Sequence, residues 1–80
     1  MTNATITQES VSERLVKNTQ AFRAAYERLN YKQQQKEQKV FCNQYDIAPV
    51  SFRARLSGAT RVADTELAFL EKRVNAYFQA

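Results

Sequence analysis

The side chains available for chemistry in this 80-residue chain are cations and hydroxyls rather than nucleophiles. There is no histidine, one cysteine (Cys42) and one glycine (Gly58). A thiol without an imidazole partner, and carboxylates scattered along helical surfaces, assemble no nucleophile and base of the usual kind, so catalysis is not expected. The lone glycine leaves no glycine-rich phosphate loop, and no cofactor is expected. One thiol without histidine gives neither a zinc ligand set nor a disulfide within the chain, and Cys42 reads as small apolar filler between helices rather than a redox sensor. What remains is a basic stretch. Between Lys32 and Arg61 stand Lys32, Lys36, Lys39, Arg53, Arg55 and Arg61 against only Glu37 and Asp46, so this segment carries +4, the formal charge of the whole protein. Residues 1 to 31 contribute +1 and residues 62 to 80 contribute −1. Positive charge gathered in this way suits a polyanion, and an arginine fork can hold a phosphate or take the two acceptors on a guanine edge.

Two short helices must position those cations. Phe41 and Tyr45, four apart, put two large apolar side chains on one helical face, with Cys42 beside them for close helix contact. Asp46 tolerates the left-handed backbone needed to leave a helix sharply, and Ile47 supplies an apolar plug behind it. Pro49 suits the first position of a second helix, because its missing N–H would have no partner there. Phe52 and Leu56 turn one face of this second helix inward, Val50, Ser51, Arg53, Ala54 and Ser57 fall on or near the opposite face, and Gly58 ends it.

The rest of the chain reads as helix. Ala, Leu, Glu, Gln, Lys and Arg dominate, while Val, Ile and Thr are too scattered for alternating strands. The expectation is an all-α domain of four to five helices over residues 10–80, preceded by a flexible arm at residues 1–9. Ser10 to Glu13 reads as a capping box that starts a helix running to about Leu29, with a stripe of Val11, Leu15, Phe22, Tyr26 and Leu29. Asn30 and Tyr31 suit a helix end. Lys32 to Lys39 has no apolar residue in eight, so it is expected to bury no face, and it fits either an exposed helical turn or a loop. After Gly58, Arg61 and Val62 offer one cation and one apolar anchor. Asp64 is the expected cap of a last helix with Leu67, Leu70, Val74 and Tyr77 or Phe78 on its stripe and Phe69 off it. Nothing resembling a hairpin follows the second short helix, so no wing is expected. No apolar run approaches the roughly 20 residues that span a bilayer, and the N-terminus lacks the pattern of a secretion signal, so the chain is expected to be cytoplasmic.

Gln38 to Gly58 resembles the helix-turn-helix of the phage Cro and lambda-repressor family of DNA-binding regulators, over about a quarter of the chain. Gln38, the small Cys42, Tyr45 and Ile47 around the turn, the buried Phe52 and the closing Leu56-Ser57-Gly58 carry the likeness. Asp46 stands where the family usually has glycine, Cys42 where it has alanine, and Arg55 where a buried or small residue is common. The resemblance implies a transcriptional repressor of phage or plasmid type whose recognition helix, about 49–57, enters the major groove. Val50, Ser51, Arg53, Ala54 and Ser57 would then face bases, Arg53 foremost, and Gln38, Lys39, Arg55 and Arg61 would hold phosphates. A homodimer on a palindromic double-stranded operator follows from the small footprint of one module. An alternative of a different class is a small helical interaction module, such as an antitoxin or a phage-encoded inhibitor of a host protein, with Phe69, Tyr77, Phe78 and the first helix as its dimer or partner surface. RNA binding is weaker, since no aromatic interleaves the exposed arginines for base stacking.

Overall fold

A computed structural model describes residues 11–79, without the side chains of Val11, Ser12 and Leu15. Four helices follow one another: α1 (Val11–Glu27), α2 (Tyr31–Tyr45), α3 (Pro49–Ser57) and α4 (Asp64–Tyr77), with no strand among the described residues. The small domain is therefore all-α. The expected arm at residues 1–9 and the capping serine Ser10 lie outside the described residues. No helix among them is long and apolar enough to cross a membrane.

Local rules set most helix ends. Helix α1 stops at Glu27, two residues short of the expected Leu29, because the Arg28 and Leu29 N–H groups bond the Ala25 and Tyr26 carbonyls three residues back and tighten the last turn. Asn30, expected as a helix end, instead begins the next helix. Its backbone is extended (φ −77°, ψ 174°), its side-chain oxygen accepts the Gln33 N–H at 2.9 Å, and the Gln33 side-chain oxygen accepts the Asn30 N–H at 3.0 Å. That reciprocal pair makes Lys32 to Lys39 helical. The same stretch buries more than its composition suggests, since Glu37 is only 1% exposed. Asp46 takes the left-handed conformation at φ 53°, and Pro49 opens α3. Gly58 ends α3 at φ 91°, where only a residue without Cβ is unstrained. Asp64 is the first residue of α4 rather than its cap. Ala63 precedes it with extended backbone, and the Glu66 carboxylate accepts the Ala63 N–H at 3.1 Å.

Each helix contributes to one core. Phe22 of α1, Phe41 of α2 and Phe52 of α3 are fully buried, with ring centroids 5.2 to 5.5 Å apart in tilted and edge-to-face pairs, the arrangements the ring quadrupole favours. Leu70 and Val74 of α4, with Val62 from the preceding connection, close the cluster. Helix α1 packs across α3 and α4, and α2 packs across the same two. Buried Asn18 of α1 fastens the α3–α4 connection by donating to the Val62 carbonyl (2.9 Å) and the Asp64 carboxylate (2.8 Å).

Candidate nucleic-acid interface

Helix α3 has nine residues, too few to hold together in isolation. Tertiary contacts fix it. The turn Asp46-Ile47-Ala48 joins it to α2, Phe52 plugs it into the aromatic cluster, and the Arg23 Nε–H donates to the Leu56 carbonyl at 2.9 Å. That last bond sets a cation on an otherwise unpaired acceptor at the helix C-terminus, where the helix dipole also favours it.

With Phe52 turned inward, Pro49, Val50, Arg53 and Ser57 point outward at spacings of three, four and seven. Val50 is 63% exposed, and Arg53 is exposed with no ion pair or side-chain hydrogen bond among the described residues. Ser51 and Ala54 lie half-buried along the edges of this stripe. The Ser57 hydroxyl is engaged locally, donating to the Ala54 carbonyl at 3.1 Å and accepting the Ala59 N–H at 3.3 Å.

The four residues expected at phosphates separate into two groups. Lys39 and Arg61 are exposed, and Gln38 is half-buried beside Lys39. Gln38 and Lys39 line a shallow groove of about 310 Å³ at the start of α3, shared with Asn43, Ile47 and Pro49. Arg55 is turned the other way. Its Nε and Nη2 donate to the two Glu66 carboxylate oxygens at 3.1 and 3.2 Å, its Nη1 donates to the Ser51 carbonyl at 2.9 Å, and its side chain is only 12% exposed. Two residues set it against α4 rather than solvent, because about 200° of helical rotation separates it from Arg53.

Arg23, Gln34 and Asn43 are additions that sequence reasoning did not single out. Arg53 shares a groove of about 440 Å³ with Arg23, Tyr26, Gln34, Leu56, Ser57 and one carboxylate, Glu27, while Asn43 borders the groove at the other end of α3. Asn43 lies four residues after Lys39 on the same helical face, a local signal that was available. The position of Arg23 had none, because it depends on how α1 crosses α3.

No family model matches this chain, and neither a curated protein nor a solved structure matches it.

The three aromatics expected on a partner surface do not form one patch. Phe69 is half-buried, its ring against Tyr45 (5.6 Å) and Phe41 (6.0 Å). The Tyr77 hydroxyl donates to the Glu37 carboxylate at 2.5 Å, and Tyr77 lines a groove with Phe69. Phe78 stays 52% exposed under the Arg28 guanidinium, 4.4 Å from its centroid. Glu37 itself was missed as a structural residue. Arg73 grips it with two bonds, Nε to Oε1 at 2.7 Å and Nη2 to Oε2 at 3.0 Å. Burial alone would raise the Glu37 carboxyl, but the hydrogen bonds from Arg73 and Tyr77 with the charges of Arg73 and Lys36 outweigh it and hold the carboxyl below its ordinary value. The hydrogen bond to Glu37, with some burial, pushes the Tyr77 hydroxyl up. Burial likewise raises the Cys42 thiol against the opposing charges of Arg55 and Arg53, which suits an inert packing residue.

Proposed function

We propose that this chain is a sequence-specific DNA-binding regulator, a repressor of the phage or plasmid kind, with α3 as its recognition helix. The observation that carries this reading is the outward stripe of α3. A helix fixed at its turn, its middle and its end presents Val50 and an unpaired Arg53 to solvent, while Arg55 is held away by Glu66. Arg53 takes guanine O6 and N7 in the major groove, a pairing worth about 1 to 3 kcal/mol of discrimination. Val50 and Ala54 meet thymine methyl groups and Ser51 meets a base edge or a phosphate, whereas the Ser57 hydroxyl proton is already given to the Ala54 carbonyl. Lys39, Gln38 and Arg61 hold the backbone, and Arg23 joins them in place of Arg55. Two chains on a palindromic operator supply the specificity that one short helix lacks.

The test is titration of the protein onto DNA from around its own gene, at two salt concentrations and against random competitor. Nanomolar binding that survives competitor, with two chains per site, is the expected result. Weak binding that disappears with salt and ignores sequence would overturn it, because phosphate contacts alone behave so. That second outcome would favour an interaction module, a reading supported by the pairing of Phe69 with Tyr77 in one groove.

A further inference from the structure

Beside α2 and α4 lies a groove of about 450 Å³, lined by Lys36 from α2 and by Phe69, Lys72, Arg73, Ala76 and Tyr77 from α4. Its volume falls among those of sites that seat small ligands or anchoring side chains. The floor is preformed. Phe41 and Tyr45 fix the Phe69 ring edge-on, and the bond to Glu37 fixes Tyr77. Above that aromatic floor the rim is cationic. Lys36 and Lys72 are exposed and form no ion pair among the described residues. Arg73 gives Nε and Nη2 to Glu37, which leaves Nη1 as a further donor. Lys36 feels the Glu37 charge, but that buried carboxylate is matched by the Arg73 guanidinium, so the two lysines remain an unmatched positive rim.

We propose that this groove docks an acidic peptide segment of another protein, with one aromatic or aliphatic side chain seated on Phe69 and Tyr77 and flanking carboxylates on Lys36 and Lys72. A peptide of that composition answers both halves of the surface, the apolar floor by burial and the lysine rim by charge complementarity. Duplex DNA answers only the rim. Its phosphates lie on a convex backbone that offers no apolar group to a concave aromatic floor. Among the exposed large apolar side chains of the described residues, Phe78 already lies under the Arg28 guanidinium, 4.4 Å from its centroid, so from a second copy it would bring a cation rather than a carboxylate to the lysine rim. The groove draws on none of the residues assigned to DNA, so the proposal stands apart from that reading.

The probe is a short, fluorescently labelled peptide of glutamates and aspartates around one central phenylalanine, titrated by anisotropy and mapped by amide chemical shifts. Saturable binding is expected, with shifts concentrated at Lys36, Phe69, Lys72 and Tyr77. The doubly substituted Lys36→Gln/Lys72→Gln chain should bind about tenfold more weakly, and Lys36→Arg/Lys72→Arg should restore it. Both lysines are exposed, so an unchanged melting curve is expected. On the unaltered chain, replacing the central phenylalanine of the probe by glycine should weaken binding about thirtyfold, the loss of a seated anchor. Arg53→Gln should leave peptide binding unchanged. Absence of saturable binding would overturn the proposal, as would indifference to both lysines, shifts centred on α3, displacement of the peptide by duplex DNA, or self-association of the chain through these lysines.

Discussion

Arg53 and Arg55 stand two residues apart on α3, and their guanidinium groups meet opposite fates. Arg55 is bonded along both edges, to Glu66 and to the Ser51 carbonyl, and is nearly out of solvent. Arg53 faces water without a partner among the described residues. The same contrast runs through the molecule at large. Glu37 and Arg73 close the α2–α4 seam with their charges neutralised, while Lys39, Arg53 and Arg61 are exposed and form no ion pair among the described residues. A charge already matched inside the fold adds rigidity, and one left unmatched on a rigid helix is available to a ligand. Counting cations along the chain does not separate the two kinds.

Substitutions can break this contrast or sharpen it, beginning with the scaffold both regions share. Phe52→Ala removes a fully buried ring in contact with Phe22, Tyr26 and Phe41, and should cost about 3 to 5 kcal/mol in a denaturant titration. A loss of that size leaves a small domain largely unfolded and erases both regions together. Arg73→Ala strands the buried Glu37 carboxylate. Because the arginine itself is 38% exposed, screening tempers the penalty to about 2 kcal/mol, measurable by the same titration. DNA affinity of the folded protein should stay unchanged.

Acid should act on the same seam. The folded Glu37 carboxyl lies below its ordinary value, so its contribution is fully present above the unfolded glutamate pKa of about 4.3 and is lost as pH falls through the lower folded value. Glu37→Gln should flatten that part of the stability curve, which melting temperatures across acid pH would reveal. Arg55→Ala should come next, at about 1 kcal/mol, since Glu66 remains partly hydrated when its partner is lost.

Much of the fold was legible because it follows from local rules. The spacing of Phe41 and Tyr45, of Phe52 with Pro49 before it, and of Leu70 with Val74 marks inward faces, and Asp46 and Gly58 sit where the backbone must turn left-handed. Asn30 shows where local rules become ambiguous. Asparagine can end one helix or begin the next, and only the reciprocal bond with Gln33 decides. Charge pairing was the least legible feature. Glu37 finds Arg73 thirty-six residues away, and Glu66 finds Arg55 across a helix boundary. For Glu37 one clue was present, since it precedes Phe41 by four residues and shares its buried face. Of the candidate interface, the outward stripe of α3 follows from the helical period, whereas the place of Arg23 depends on a crossing that no short stretch encodes.

The most direct measurement sets Arg53→Ala beside Arg55→Ala, each followed by thermal melting and by titration onto the preferred DNA site and a random duplex. Arg53→Ala should melt within about 0.5 kcal/mol of the unaltered chain and lose about 1 to 3 kcal/mol of discrimination between the two duplexes. Arg55→Ala should show the reverse, a lower melting temperature with discrimination intact. If Arg53→Ala binds both duplexes as the unaltered chain does, or if Arg55→Ala alone abolishes discrimination while still folded, α3 does not read DNA in the manner proposed.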